Sequence, residues 1–402
     1  MQRQGVRARS REEIQPLLDM CRSGRVFEAQ AWLDAGNPVD PPPLVPKKPA
    51  VPSPLEYAIE MGCHSMVSVL LDAGAEMDDI ENHYSAMQHA IEKRRIDLVE
   101  LMVAHGADPK TVDMRAVFDC YDPTIMKYFV EHGADLRTGL PIAGALSRRI
   151  QPALGVCRAC IERNPDLKEQ LNIALRSNCK VGNLKWVSLL LWAGADPFRP
   201  GMNECDEEPD TDYEGLTAVE CAAWNGKFEV FDLPYFRRKL GHPAMLKAVE
   251  SAHGESAPSF VERVLEAGLD LNDQANGGSS LVSSRLNHFQ HDFRYYLKDD
   301  NLKEYLDYSR VAADQAILES LLRHGALWRP VDRQEINDIR RGFRKLPLDV
   351  RLKAVASLCQ YQACYRESFD ALNSGAAFAQ VALQPKRIAS LIENLPSGPA
   401  WG

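Results

Sequence analysis

The chain has 402 residues, 45% of them hydrophobic and 26% charged, and a formal net charge of −9. That length suits two or three ordinary domains or one long array, and the composition is that of a soluble globular protein. No apolar run approaches the roughly 20 residues of a membrane-spanning helix, and the acidic balance argues against a chain that coats nucleic acid along its whole surface.

The opening MQRQGVRARSREE carries Arg3, Arg7, Arg9 and Arg11 but lacks the apolar core of a secretory signal. Ten cysteines are scattered along the chain, and Cys21, Cys63, Cys221 and Cys359 fall inside helical patterns. A secreted disulfide scaffold is short and cysteine-dense, so reduced thiols in a cytoplasmic protein are expected. A first pair of helical patterns runs from Glu12 to Asp40. The proline-rich stretch Pro41–Pro54 comes next, which excludes helix and reads as an extended surface loop.

From Ser53 the chain repeats. SPLEYA (Ser53–Ala58) returns 32 residues later as SAMQHA (Ser85–Ala90), and each is followed by a second apolar stripe. The stripes are Val67, Val69, Leu70 and Leu71, then Leu98, Leu101, Met102 and Val103. Both units close on Gly-Ala-acid, at Gly74 and Gly106, where a helix stops and a left-handed residue is needed. Ser53 and Ser85 stand where a hydroxyl caps the first free amides. Gly24 and Gly36 are 12 apart, as are Gly62 and Gly74, and Gly182 and Gly194. Two short helices have too little core to stand alone, so such units must stack.

Downstream the signature drifts. Met114–Asp135 closes at Gly133, Leu140–Leu167 is helical in pattern without the glycines, and Leu171–Pro197 restores them. Asp212–Phe231 (DYEGLTAVECAAWNGKFEVF) is the sharpest single unit, with Gly215 and Thr217 at turn and cap and Gly226 between helices. Gly268 and Gly325 end two later helices, and residues 272–310 are irregular in period. From Val331 onward the helical patterns no longer repeat, as expected of a cap over the last apolar face.

A period of this size with two helical patterns per unit resembles the ankyrin repeat, over about residues 12–330 with a helical cap at 331–402. The resemblance implies an all-α solenoid that binds another protein through loops and inner helices, without catalysis. It departs from the family at the fourth position of the TPLH motif, where this chain has Glu56, Gln88 and Glu220. The ties that the family's histidine makes between neighbouring loops must therefore differ here.

Candidate chemistry is sparse. Cys157-Arg-Ala-Cys160 has no second pair at zinc spacing and reads as helix. His288 and His291 lack a third ligand, and Gly277–Ser280 lacks the lysine of a phosphate loop. No metal, cofactor or catalytic set is expected. The acidic insert at 200–214 points toward the binding surface if it acts at all. It reads as a solvated loop, an acidic finger for a basic partner, or, on a loose likeness to a calcium loop, a cation site. Its Asp206, Glu207, Glu208, Asp210 and Asp212, with Tyr213 and Trp224 beside them and His83 and Tyr84 in an earlier loop, are the expected partner contacts. Arg340, Arg341, Arg344 and Lys345 form a basic patch, read either as a solvated cap face or as phosphate contacts in a nucleic-acid-associated subunit.

Overall fold

The computed structural model describes residues 5–44, 51–79, 84–201, 215–271, 281–286 and 308–326. These residues are helical almost throughout. The exception of note is a hairpin of two antiparallel pairs, β1 (Asp78–Asp79) with β2 (Tyr84–Ser85). The chain divides into two compact units, and the division falls after Ala174, inside one helix.

In the first unit the helices come in pairs: α1 (Arg11–Ser23) with α2 (Val26–Asp34), α3 (Pro54–Glu60) with α4 (His64–Asp72), α5 (Ala86–Glu92) with α6 (Ile96–Ala104), α7 (Met114–Asp119) with α8 (Pro123–Glu131), and α9 (Pro141–Ser147) with α10 (Gln151–Arg163). The first member of each pair stacks on the first of the next, α1 on α3, α3 on α5, α5 on α7 and α7 on α9. The second members form a parallel row in which α2 meets α4 and α4 meets α6. Leu17, Leu55, Ala58, Ile59, Ala90, Ile91, Val117 and Phe118 are fully buried between the layers. Burying each large side chain contributes about 1.5–3 kcal/mol.

The capping residues act as their types predict. Ser53 accepts from the amide of Leu55 at 3.1 Å and Ser85 from Gln88 at 3.4 Å. Asp113 and Asp122 do the same at the starts of α7 and α8. At the N-terminus an extended strap lies along the loops. Gly5 donates to the carbonyl of Gly74 at 3.1 Å, and Val39 donates to Val6 at 2.8 Å. Arg7 pairs with Glu76.

The helix α11 (Lys168–Val181) runs through the division. In the second unit α12 (Leu184–Trp192) comes first, then α13 (Ala218–Trp224), α14 (Pro234–Arg237), α15 (Met245–Ser251), α16 (Ala257–Glu266), α17 (281–286) and α18 (Tyr308–Arg323). Among the described residues the pairing slips once. After α13, a single 3-10 stretch at Phe228–Asp232 stands where earlier units have an outer α-helix. Pro234 removes the donor that would continue it. Aromatic packing fills the gap: Phe231 lies 4.3 Å from Phe260 between ring centroids, and Phe228 lies 4.9 Å from Phe260.

The turn between the two helices of a pair holds a left-handed residue throughout the described pairs. Gly24, Gly62, Gly182, Gly226 and Gly254 serve at five of these turns. Three turns use other residues, Arg94 (φ 56°), Tyr121 (φ 58°) and Arg149 (φ 66°). A side chain there costs about 1–2 kcal/mol relative to glycine. At Gly62 glycine has a second reason: a Cβ would run into the guanidinium of Arg95, which donates to the Gly62 carbonyl at 2.9 Å.

Candidate functional site

The inner helices of the first unit bury one face and leave the other outward. The C-terminal ends of these helices, beside the turns, carry short-range polar pairs. Arg22 lies 4.2 Å over the ring of Tyr57 and bonds its hydroxyl. Lys93 reaches Glu60 at 4.0 Å, Gln88 donates to Glu92 at 3.2 Å, and Arg148 meets Asp119 at 2.9 Å. Exposed pairs of this kind contribute little to stability, so a partner can exchange them at small cost.

Structural ties between neighbours lie elsewhere. Arg95 joins one turn to the preceding one through Gly62, and Arg115 donates to the carbonyl of Gly139 at 2.7 and 2.9 Å. The buried Gln170 accepts from the amides of Ile142 and Ala143 at 3.0 and 3.2 Å and donates to Leu136 at 2.6 Å. It thus supplies the start of α9, whose own cap position, Leu140, has no side-chain acceptor. In the second unit Glu220, at the fourth position of its motif, turns back on its own helix. It accepts from the Thr217 amide at 2.7 Å while Thr217 accepts from Glu220 at 3.2 Å, a closed capping box.

Of the expected contact residues, Trp224 is at the last turn of α13 and 55% exposed, its ring edge-on to His253 at 5.3 Å. Tyr84 falls in β2 of the hairpin. His83 lies outside the described residues, as do Asp206, Glu207, Glu208, Asp210, Asp212 and Tyr213 of the insert. The basic patch Arg340, Arg341, Arg344 and Lys345 also lies outside them, with the whole 331–402 segment, His288, His291 and Gly277–Ser280.

Cys157 and Cys160 sit in α10, both buried. Burial pushes both thiols up, Cys157 well above the ordinary value, which is the opposite of a reactive or metal-binding thiolate. The seven cysteines within the described residues are free, and those residues contain no group of three or more His, Cys, Asp or Glu able to hold a metal ion. No described helix is long and apolar enough to cross a membrane. The carboxylates with clear shifts are held low by donors. Asp97 is lowered by the hydrogen bond from Arg95, and Glu262 by Ser320 and then His324.

The turn residues Arg94, Tyr121 and Arg149 are not visible to a search for glycine. A signal exists for two of them. Arg94 stands 12 residues before Gly106 and Tyr121 stands 12 before Gly133, the interval that separates Gly62 from Gly74.

A family model described as ankyrin repeats (3 copies) matches residues 33–113. Two curated proteins align with short stretches. The B-cell lymphoma 3 protein homolog of Mus musculus is 38% identical over 56 residues, 13% of this chain and 12% of that protein. The putative ankyrin repeat protein FPV018 of Fowlpox virus (strain NVSL) is 31% identical over 96 residues, 23% of this chain and 13% of that protein. The chain thus spans about an eighth of the length of these relatives. The solved ankyrin repeat domain of human ASB11 is 16% identical with a TM-score of 0.36, covering 52% of this chain and 91% of that one. That of Bcl-3, a member of the IkappaB protein family, is 16% identical with a TM-score of 0.31, covering 66% and 92%. The family match shows ankyrin repeats at residues 33–113, where the helix pairs stack one on the next, and repeats of this type are protein-interaction modules.

Proposed function

We propose that the chain is a non-catalytic, cytoplasmic binding protein, a scaffold or inhibitor that grips one partner protein along its inner helices and inter-repeat loops. The observation that supports this reading is Trp224. A tryptophan more than half exposed at the end of an inner helix is not needed by the core beneath it, and exposed aromatics of this kind anchor protein interfaces. Around it the repeats bury their apolar faces against one another, which leaves the inner-helix surface free for recognition. The acidic insert that precedes α13 is the expected companion of Trp224, gripping a basic segment of the partner.

The test is capture of a partner by the tagged chain, followed by titration of the purified pair. Trp224→Ala is expected to weaken that binding roughly tenfold or more while Tm stays within a degree or two. Unchanged affinity would remove the inner face at α13 from the interface. Replacing Asp206, Glu207, Glu208 and Asp210 with Ser tests the insert in the same titration.

A further inference from the structure

We propose a second recognition surface in the first unit: a ridge formed by the side chains of Arg94, Tyr121 and Arg149 that receives an extended acidic segment of a partner protein. This inference rests on the reading of the chain as a protein-binding module, but it uses a different face, the edge where the two helices of each repeat join.

Three consecutive repeats place a non-glycine residue in the left-handed region, where the repeats on either side use Gly62 and Gly182. Residues held in such conformations tend to cluster at functional sites, because the strain persists only where the side chain is wanted. All three side chains are exposed, Tyr121 to 49%. Among the described residues neither the Arg94 nor the Arg149 guanidinium makes an ion pair or hydrogen bond, so packing does not account for them. Arginine and tyrosine are also the residue types that dominate binding energy at interfaces.

The three turns are neighbours. Arg94 and Tyr121 stand in the turns that follow α5 and α7, and α5 packs on α7. Arg148, beside Arg149, bonds Asp119 in the Tyr121 repeat at 2.9 Å. Helices pack about 8–10 Å apart, so Arg94 and Arg149, two repeats apart, are separated by roughly 20 Å. An extended chain rises about 3.3 Å per residue, which makes the matching ligand about six residues long. It carries a carboxylate near each end for the arginines and an apolar or aromatic residue in the middle for Tyr121.

Charge spacing favours a polypeptide over nucleic acid. Asp119 and Asp122 flank Tyr121. A peptide can place neutral residues against them, whereas a nucleic-acid strand brings a phosphate every ~3.4 Å of helix axis and meets both.

The experiment uses the full chain, wild type and the double variant Arg94→Gly/Arg149→Gly. Each is probed with an array of hexapeptides bearing Asp or Glu at both ends and all residues at the centre, and with a fluorescein-labelled 20-nucleotide single-stranded DNA. Wild type is expected to select acidic-ended peptides with an apolar centre, and the variant to bind them about tenfold or more weakly. The variant's Tm should be equal or higher, because glycine takes the left-handed turn without a clash. A lower Tm would make the arginines structural and overturn the proposal. So would peptide binding that the two chains share or both lack, and so would preference for the DNA lost in the variant. If the ridge fails while a captured partner is still released by Trp224→Ala, the inner-face reading stands alone.

Discussion

The two compact units solve one problem in different ways. In the first, neighbouring repeats are joined by polar ties at their turns and loops: Arg95 to Gly62, Arg115 to Gly139, Gln170 to the start of α9. In the second, one outer helix is reduced to a 3-10 stretch, and Phe228, Phe231, Phe236 and Phe260 fill the space it leaves. The second unit also holds a buried ion pair, Arg285 to Asp314 at 3.0 Å. Arg285 also donates to the carbonyls of Val249, Glu250 and Ala252 at the end of α15. Regular repeats can rely on weak, repeated bonds; an irregular one needs bulky packing or a desolvated charge.

Breaking that contrast should give effects of graded size. Phe231→Ala is expected to lose about 3–5 kcal/mol, since its ring packs against two others with no helix to close the cavity. Urea titration would show it, and a loss below about 1 kcal/mol would mean that the aromatic cluster is not what replaces the missing helix. Arg285→Met should cost a similar ~3–5 kcal/mol by removing the cation paired with the buried carboxylate of Asp314. Arg285→Met/Asp314→Leu should recover most of that loss. If the double variant is no better than the single, the carbonyl contacts of Arg285 matter more than its ion pair.

The polar ties of the first unit should be individually smaller. Gln170→Ala leaves two buried amides and one carbonyl without their partner and should cost about 1–3 kcal/mol, with hydrogen exchange rising first at Ile142 and Ala143. The smallest effect has the opposite sign. Arg149→Gly should stabilise the chain, or leave it unchanged within about 1 kcal/mol, whereas Gly62→Arg should destabilise it by crowding Arg95.

Much of this architecture is legible in the sequence because repeat chemistry is local. Ser53, Ser85 and Thr217 cap where hydroxyls before apolar runs are expected, and Gly24, Gly62 and Gly182 turn the chain where helices end. The region Leu140–Leu167 hides its turn because Arg149 does by strain what glycine does freely, and no propensity rule assigns arginine to a left-handed turn. The sharpest sequence match, Asp212–Phe231, is a repeat whose outer helix is reduced to a 3-10 stretch. Its motif describes the cap and first helix, while Pro234 and the phenylalanines set the path of the chain beyond α13. The exposed Trp224 is legible as a residue type but not as a surface feature, because burial between repeats fits its position in the motif equally well. The inter-repeat bonds of Arg115 and Gln170 span 24 and 28 residues and depend on stacking, which single-sequence reading does not supply.

Hydrogen exchange of the full chain, with and without its captured and purified partner, bears most closely on whether the inner surface is where binding occurs. Protection of the inner helices at 54–60, 86–92, 114–119 and 218–224, with the outer helices at 64–72 and 96–104 unchanged, is the result expected of a partner held there. Protection confined to the outer helices, or nuclease-sensitive absorbance near 260 nm in place of a stoichiometric protein, would contradict it.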